Sequence, residues 1–500
     1  MAQILNTVNE SLRGVRLFAG ASTIPIPDRI ADAYREGDRL VVADGEVVHI
    51  PAVQAHIAQQ AVTGAVRAFQ QMANVPADNV TEFYETFAAA LEDDQTWDTI
   101  ASGNAEDVSA AHSLGRSTTR LVVSDKMRKE MVDGLREWRD AESPVGRVLE
   151  TTAHEGWTVE DVVAPLGVVA FVFEGRPNVF ADATGVLRSG NTAVLRIGGD
   201  ALLTARAIVE NALNPALSRA KLPENSVTLI NSRERSAGSA LFCDSRVALA
   251  VARGSGRATR QLGAIARQAG IPASLHGTGG AWMIVDDAAE PDRLGLAIRH
   301  SLDRKVCNTL NVICLLRSSV DRTWPIALAA LRAAGEAGER GYRLHVVTGS
   351  RSCVDQGLFT EETTVVRASG AVTEPIATDM PEADLAREWE WEGTPEVSLV
   401  VVDDLPAGVA LFNRYSPQFV LSVISANEAA QDFAFRLTNA PFVGDGFTRW
   451  VDGQFALCRP ELGLSNWQNG RLLGRSGILS GDGIYTIRVR VRQQDPSVHR

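Results

Sequence analysis

The sequence predicts an α/β protein built on parallel, doubly wound sheets. Between residues 167 and 269, buried strand patterns alternate with helical patterns, and this alternation is typical of a parallel sheet. A second alternating run starts near residue 282 and continues past residue 440. In the first run, glycines lie between a strand and a helix, as in sheets that bind nucleotides. We therefore expect a cofactor-binding domain and a second α/β domain.

The N-terminal part is predicted to hold two short strands and then several helices. Asp38–Ile50 contains two strand patterns around an Asp44-Gly45 turn. An apolar stripe from Ile57 to Phe69 has the spacing of one helix face. Three more helical patterns follow, at roughly 79–92, 104–117 and 124–139.

The first alternating run follows an extended stretch, 145–163, which we interpret as a hairpin arm. Gly167–Phe173 is a buried strand, Pro177 opens the next helix and Gly190 closes it. The tail, 483–492, alternates strictly and predicts one strand with a basic face. The remaining elements of the run are strands at 192–196, 226–230 and 247–251 and helices at 201–222 and 256–269.

Composition excludes several classes of protein. A net charge of −12 over 500 residues argues against nucleic-acid or anionic-membrane partners, because both require a basic surface. The five cysteines form no CxxC pair and the histidines lack the spacing of metal ligands, so we expect reduced thiols, no metal and a cytoplasmic protein. The start of the chain lacks a signal-peptide pattern, and no apolar run is long enough to span a membrane.

A thiol and a side-chain amide have the clearest chemical meaning. Cys307 follows Arg304 and Lys305, whose charges would lower its pKa from about 8.5. Asn178 comes directly after a buried strand, in Phe173-Glu-Gly-Arg-Pro-Asn178. A thiol nucleophile and an amide that stabilises an oxyanion are what acyl transfer through a thioester requires. Taken singly, Cys307 is also compatible with a core residue and Asn178 with a helix cap.

Two glycine-containing loops are candidates for nucleotide binding. Arg253, Gly254, Ser255 and Gly256 join a strand to a helix, where backbone N–H groups can approach a pyrophosphate. Thr259 replaces the third glycine of the GxGxxG pattern, so a plain tight turn stays open as an alternative. The second loop has Arg196 before Gly198 and Gly199, and it predicts a contact with an adenosine ribose or 2′-phosphate; the alternative is a solvated arginine.

Taken together, these segments resemble the gamma-glutamyl phosphate reductase family of the aldehyde dehydrogenase superfamily, from about residue 55 to the C-terminus. Pro165–Val168 with Arg176–Val179 resembles that family's PLGV and RPNV motifs, and Val306–Thr309 resembles its VCN segment. The remaining matches are Ala105–Val108 (NAxDV), Ser189–Asn191 with Leu195–Arg196 (SGN and LR), Asn413–Ser416 (NRYS), Thr448–Trp450 (TRF) and Glu461–Ser465 (EIGIS).

The resemblance implies an aldehyde dehydrogenase-like fold and NADPH-dependent reduction of an acyl phosphate, most simply L-glutamyl 5-phosphate in proline biosynthesis. It implies Cys307 as the nucleophile and Asn178 as the oxyanion donor. Asp200, next to the second loop, is the argument for NAD instead of NADP. Gly279 and Glu392 are added to the cofactor-binding residues, and the substrate-binding candidates are Arg176, Arg304, Asn308 and Arg449.

Several positions depart from the family. Asn311 stands where the family has a glutamate, Ile197 interrupts its RGG turn, and 301–305 and 469–475 differ from its TQRP and HARGP segments. Gly277 stands where general aldehyde dehydrogenases carry the glutamate that activates water, so thioester hydrolysis should be slow. A paralogue acting on another acyl phosphate, an enzyme using acyl-coenzyme A and a non-catalytic assembly protein stay open.

We therefore predict domains with different tasks. The partners expected are a small acyl phosphate, an amino-acid kinase that supplies it, and a second copy of this chain. The expected domains are an N-terminal extension (1–54), a cofactor-binding domain (55–144 and 164–276), a catalytic domain (277–480) and β oligomerisation strands (145–163 and 481–500).

Overall fold

The computed structural model describes residues 12–116, 118, 121–338, 341–367, 370–458, 460–463, 467–468, 471–472 and 479–499. The chain divides into two compact units. The first unit comprises 1–277, 458–463 and 478–500, and the second comprises 278–457 and 464–477. The first eleven residues of the predicted N-terminal extension lie outside the described part, as do Leu464 and Ser465 of the EIGIS match and most of segment 469–475.

The strands and helices have the following bounds. The strands are β1 (Arg16–Ala19), β2 (Ser22–Pro25), β3 (Arg39–Ala43), β4 (Glu46–Ile50), β5 (Val148–His154), β6 (Trp157–Pro165), β7 (Val168–Phe173), β8 (Thr192–Arg196), β9 (Val227–Leu229), β10 (Val247–Arg253), β11 (Ala273–His276), β12 (Ala281–Val285), β13 (Leu310–Leu316), β14 (Arg343–Val347), β15 (Glu362–Arg367), β16 (Gly370–Pro375), β17 (Ala377–Met380), β18 (Glu396–Val402), β19 (Val420–Ile424), β20 (Phe442–Gly444), β21 (Glu461–Gly463), β22 (Trp467–Gln468), β23 (Arg471–Leu472), β24 (Leu479–Ser480) and β25 (Tyr485–Gln493). The helices are α1 (Asp28–Ala33), α2 (Ala52–Met72), α3 (Ala77–Glu92), α4 (Asp94–Ser113), α5 (Asp125–Asp140), α6 (Val179–Thr184), α7 (Leu202–Ile208), α8 (Asn214–Arg219), α9 (Arg235–Leu241), α10 (Gly256–Gln268), α11 (Pro291–His300), α12 (Val320–Ala337), α13 (Leu405–Tyr415), α14 (Glu428–Leu437) and α15 (Gly453–Leu457).

The first unit is organised around a parallel sheet in the order β11-β10-β7-β8-β9. Its central strand, β7, is buried along its whole length, as its run of Val, Ala and Phe predicts for a strand covered on both faces. Strand order reverses between β7 and β10, so the chain is doubly wound and the sheet has a switch point there. The fold class predicted from the sequence is confirmed.

The second unit holds another parallel sheet, in the order β17-β14-β18-β13-β12-β19-β20. The buried strands β12, β13 and β18 are apolar throughout most of their length. Cys314 lies within β13, and burial raises the pKa of its thiol to about 12. This confirms the interpretation of Cys314 as a core residue, because a thiol with so high a pKa is not a nucleophile at neutral pH.

The arm forms as predicted, but the tail strand has a partner that the sequence did not reveal. β5 and β6 form an antiparallel hairpin, and β25 pairs with β6 along its whole length, from Tyr485 opposite Pro165 to Gln493 opposite Trp157. Arg490 donates to the Glu160 carboxylate at 2.7 Å across this pair. Within the described part of the chain, the other edge of β25 pairs with no strand.

The Ser189-Gly-Asn191 motif attaches the tail to the sheet. The Asn191 carboxamide oxygen accepts from the backbone N–H groups of Leu166 and Gly167 at 2.7 and 2.9 Å, just before β7. Its amide nitrogen donates to the Ile484 carbonyl at 2.7 Å, and Ser189 donates to the Gly481 carbonyl at 2.6 Å. The motif is therefore structural, because it satisfies buried backbone groups that start β7 and precede β25.

Some predicted elements differ in detail. The N-terminal loop contains a hairpin, β1–β2, because Arg16–Pro25 pairs across a Gly20 turn. α4 begins at Asp94, ten residues before the predicted start, because Asp93 caps it by accepting from Thr96. The helix expected at 201–222 is interrupted by a π-turn at 209–213, and Gly190 ends its helical segment in the left-handed conformation, as predicted.

None of the described helices combines the length and apolarity needed to cross a bilayer.

We predict that Asn191→Ala destabilises the first unit by about 2–4 kcal/mol, because it leaves buried backbone donors and an acceptor without partners. Urea unfolding followed by circular dichroism measures this loss. Asn74→Ala, at an exposed position after α2, is the control and should change stability little. Equal stability of both variants would show that the tail is held by other contacts.

Candidate functional site

Cys307 lies on the loop between α11 and β13, and a glycine turn holds its backbone. Its thiol is partly exposed. The Gly280 N–H donates to the Cys307 carbonyl at 2.7 Å. A side chain at Gly279 would come within 2.5–2.9 Å of Cys307 backbone atoms. Gly279, predicted to bind cofactor, therefore has a packing reason to be glycine, since only glycine allows this approach.

Asn308 and Arg449, two predicted substrate-binding residues, are hydrogen-bonded to each other. The Arg449 side chain is 11% exposed, and its Nε donates to the Asp303 carboxylate at 2.7 Å. Its Nη1 donates to the Asn308 carboxamide oxygen. The Asn308 amide nitrogen donates to the Val451 carbonyl at 2.7 Å, and Thr448 donates to the Asn308 carbonyl at 2.6 Å. The TRW segment therefore fixes the residue that follows the thiol.

The two cations expected beside the thiol differ in their surroundings. Lys305 is 8% exposed, and its ammonium lies 2.5 Å from the Glu388 carboxylate, whose other oxygen accepts from the Gly279 N–H at 2.7 Å. The Lys305 charge, which was expected to act on the thiol, is therefore balanced by a carboxylate of opposite charge. Arg304 is 64% exposed and lies 4.0 Å from Asp303, so its field is screened by solvent.

Glu388 was missed by sequence reasoning, which selected the exposed Glu392 from the same acidic and aromatic segment. Asn311 brings Glu388 into place. Its amide nitrogen donates to the Arg387 carbonyl and its oxygen accepts from the Trp389 N–H, both at 2.9 Å. A carboxylate could make only the second bond. The two hydrogen bonds therefore explain why residue 311 is an amide and not a glutamate.

In the first unit, Asn178 is the N-cap residue of α6, but its side chain makes no capping hydrogen bond. Asn178 therefore holds the helix-cap position of the alternative interpretation, although its side chain does not cap the helix. Asn178 lines a small cleft at the carboxyl end of β7. The cleft is lined by Phe173, Glu174, Arg176, Asn178, Val179, Asp182 and Arg253.

Arginines and carboxylates meet in this cleft. Arg176 is paired with Glu174 at 2.8 Å. Arg253, predicted to bind cofactor, directs its side chain to Asp182 at 3.5 Å and to the Glu461 carboxylate at 3.8 Å. All three of the latter side chains are less than one-fifth exposed. The side chain of Arg253 is therefore held by carboxylates of the first unit, and not by the glycine turn that follows it in sequence.

The loop after β8 was predicted to contact a nucleotide through Arg196, with Asp200 as the argument against NADP. The surroundings of Arg196 support this contact, whereas Asp200 is paired with another residue. Arg196 is 7% exposed, its Nη2 donates to the Arg233 carbonyl at 3.1 Å, and its buried Nε meets no acceptor in the described part of the chain. Burial lowers the Arg196 pKa, so a nearby anion would stabilise its charge. Asp200, the argument against NADP, is ion-paired with Arg116.

Gly198 and Gly199, the glycines of this loop, are closely packed against neighbouring backbone. A side chain at Gly198 would come within 2.6 Å of the Gly175 backbone nitrogen, and one at Gly199 within 3.1 Å of the Arg233 carbonyl. They are glycines because two loops approach each other there, not to make room for a phosphate. Gly254 differs, since a side chain there would meet nothing within 4 Å.

The residues of the first unit fit a nicotinamide nucleotide. Gly254 is open, Ser255 caps α10, and Gly256 begins this helix, whose free N–H groups favour a phosphate. Arg196 adds a buried guanidinium with an unused donor at the same edge of the sheet. Across the described residues, no group of three or more His, Cys, Asp or Glu could hold a metal ion.

Gly277 cannot carry a larger residue without rearrangement. An added side chain would lie 2.3 Å from the Thr259 hydroxyl oxygen and 3.0 Å from the Gly256 Cα. Thr259, the residue that breaks the GxGxxG pattern, is therefore packed against the position where a catalytic glutamate would stand. A glutamate at 277 would overlap the first turn of α10.

Comparison with known proteins agrees with this architecture. The aldehyde dehydrogenase family pattern matches residues 41–333. The chain is 29% identical over 413 residues to a gamma-glutamyl phosphate reductase of Afipia carboxidovorans, covering 81% of this chain and 88% of that protein. It is 27% identical over 407 residues to one of Moorella thermoacetica, covering 79% and 88%.

A solved structure shows the same fold. The crystal structure of gamma-glutamyl phosphate reductase from Thermotoga maritima superposes with a TM-score of 0.75 at 21% identity, covering 89% of this chain and all of that one. The family pattern spans more than half of the 500 residues. The chain belongs to the aldehyde dehydrogenase family.

Proposed function

We propose that this chain reduces an acyl phosphate, L-glutamyl 5-phosphate, to the aldehyde through a thioester on Cys307. The observation that carries the proposal is the packing of Gly277 against Thr259 and Gly256, which excludes a glutamate base at that position. Without such a base, water attacks a thioester slowly, whereas phosphate leaves an acyl phosphate unaided. The curated relatives named gamma-glutamyl phosphate reductase support this substrate.

The protein's own groups carry the covalent steps. The Cys307 thiolate attacks the acyl carbonyl carbon, the bond to phosphate oxygen breaks, and the acyl group becomes a thioester. We assign the oxyanion of this step to the Asn178 amide. When bound, a nicotinamide nucleotide supplies the hydride of the reduction. Release of the aldehyde then returns the thiolate of Cys307.

The proposed reaction also implies which reactions precede and follow it. Because acyl phosphates hydrolyse readily, a kinase that phosphorylates the side-chain carboxylate of glutamate must supply the substrate. The product, glutamate semialdehyde, cyclises unaided to pyrroline carboxylate, so we place the enzyme in proline biosynthesis in the cytoplasm. NADPH is the proposed coenzyme, because Arg196 is buried with an unused donor and Asp200 is occupied by Arg116.

Cys307→Ala should abolish the reduction of NADP by glutamate semialdehyde and phosphate, while the fold and the binding of NADPH persist. Cys314→Ala is the matched control and should keep activity, with a stability loss of about 1–2 kcal/mol. Absorbance at the NADPH maximum and thermal unfolding give both readouts. A Cys307→Ala enzyme that keeps a tenth of the wild-type rate would refute the assignment.

Arg196→Gln should lower kcat/KM for NADPH by roughly tenfold or more and change that for NADH little, because a charged hydrogen bond to the 2′-phosphate is lost. Arg206→Gln, on the exposed side of α7, is the control. Circular dichroism checks that the variant folds. If the wild-type enzyme uses both coenzymes equally well, Arg196 does not recognise the phosphate.

We also propose that the arm sheet, β5-β6-β25, joins subunits. Among the described strands none pairs with the outer edge of β25, and this strand carries three exposed apolar residues, Ile487 (40%), Val489 (66%) and Val491 (57%). Exposed edges of this kind pair with another chain unless they are blocked. Truncation at residue 481 would also remove Ile484, which is 2% exposed, so point substitutions are the cleaner test.

The double variant Val489→Asp, Val491→Asp should have a lower mass by light scattering than the wild type, with unchanged circular dichroism. Val122→Asp, a half-exposed valine elsewhere in the first unit, should leave the mass unchanged. A wild-type protein that is already monomeric at micromolar concentration would disprove this role of the arm.

A further inference from the structure

Close to the segment that carries Glu388, the second unit buries a group of charges that the proposed chemistry does not use. His345 on β14 and Glu396 on β18 are both buried. The Glu396 carboxylate lies 2.7 Å from the His345 Nε2 and accepts from Arg367 at 2.8 Å. Buried charges are costly even when they are paired, and apolar side chains would fill the same space at lower cost. The pair therefore points to a role other than stability.

The surroundings of His345 fix both the proton and the plane of its ring. Burial lowers the pKa of His345, so the ring is neutral at neutral pH. Burial alone would raise the pKa of Glu396, but the hydrogen bonds from His345 and Arg367 hold it at about 2. Because an ionised carboxylate only accepts, the ring carries its proton on Nε2, and Nδ1 accepts from the Thr378 hydroxyl at 3.0 Å. Both ring nitrogens are bonded, so the ring has a single orientation.

Trp389 lies flat on this imidazole ring. The centres of the His345 and Trp389 rings are 3.6 Å apart, and their planes differ by 10°. The indole Nε1 donates to the Ser398 hydroxyl at 2.8 Å, and the Arg387 guanidinium carbon lies 4.3 Å from the indole centre. A tryptophan side chain has only two rotatable torsions, so contacts that fix the indole also fix the backbone that carries it.

The backbone of Trp389 supports the turn that holds Cys307. Its N–H donates to the Asn311 carboxamide oxygen at 2.9 Å. Asn311 packs against Gly280, because a side chain added at Gly280 would come within 3.0 Å of the Asn311 Cβ. The Gly280 N–H in turn donates to the Cys307 carbonyl at 2.7 Å. Three consecutive contacts thus join the indole to the backbone of the proposed nucleophile.

A second connection runs through Glu388. Its carboxylate accepts from the Gly279 N–H at 2.7 Å, and Gly279 lies directly against the Cys307 backbone. The Asn311 side chain bonds the backbone on each side of Glu388, at 2.9 Å in both cases. Both glycines of the turn are therefore supported by one short segment, 387–389.

We propose that Trp389 is a positioning residue for the Cys307 thiol, with the His345–Glu396 pair as the support of its ring. The inference rests on the proposed function and deepens it, since it says how the nucleophile of that reaction is held. A displacement of about 1 Å at a reacting group can cost about a hundredfold in rate. Loss of this support should therefore lower kcat without weakening the binding of the coenzyme.

Trp389→Leu should lower kcat of the reverse reaction, with glutamate semialdehyde, phosphate and NADP, by roughly tenfold or more, while KM for NADP stays within about twofold of wild type. Trp389→Phe keeps a ring that can stack and should recover most of the lost rate. Trp324→Leu on α12 is the matched control, because Trp324 is buried in the same unit to the same degree, at 7% exposed against 6% for Trp389. It should lose stability and keep kcat.

A double-variant cycle tests the support of the indole. His345→Gln keeps a donor for Glu396 but removes the flat ring, and it should lower kcat several-fold. Combined with Trp389→Leu, it should lower kcat little further, because both changes act through the same position. Combined with Trp324→Leu, it should lower kcat as much as it does alone. His345→Gln alone carries the test if circular dichroism shows that Trp389→Leu does not fold.

The rate at which iodoacetamide alkylates Cys307, followed by mass spectrometry of the modified peptide, measures the position of the thiol without turnover. This rate should differ from wild type by roughly fivefold or more in Trp389→Leu and stay within about twofold in Trp324→Leu. Equal kcat and equal alkylation rates in these two variants would overturn the inference. If the wild-type enzyme does not use glutamate semialdehyde, the proposed function fails, while the alkylation rates still decide the role of Trp389.

Discussion

The geometry of the loop that carries Cys307 depends on one backbone contact, between the Gly279-Gly280 turn and Cys307. The Gly280 N–H bonds the Cys307 carbonyl at 2.7 Å, and Gly279 approaches so closely that no side chain fits. Because this contact fixes the main chain, the thiol position does not depend on the rotamers of long side chains. Arg449 and Glu388 act on the same loop from its two ends, through Asn308 and Lys305.

Carboxylates balance the cations around Cys307. The Lys305 ammonium lies 2.5 Å from Glu388 and the Arg304 guanidinium lies 4.0 Å from Asp303, so each cation close to the thiol in sequence has a carboxylate beside it. A buried cation of this kind positions backbone groups, and its removal would leave a carboxylate uncompensated.

The elements that the sequence predicts well are those encoded by neighbouring residues. Gly190 ends its helical segment because a left-handed residue is needed there, and β7 is apolar because both its faces are covered. Asn191 contacts Ile484, Lys305 contacts Glu388 and Arg253 contacts Asp182 across 293, 83 and 71 residues, and local spacing carries no information about such pairs. For this reason Glu388 was missed, Glu392 was chosen in its place, and the pairing of the tail strand with β6 was not predicted.

Departures from a family motif have a physical meaning only when their contacts are known. Asn311 replaces a glutamate of the resembling family, and by itself this change would favour a protein that has lost catalysis. In the structure the amide donates to Arg387 and accepts from Trp389, a pair of bonds that a glutamate could not make. The substitution therefore accompanies a rebuilt support for Glu388, beside an intact thiol loop. The change at Asn311 thus gives no support to the non-catalytic alternative.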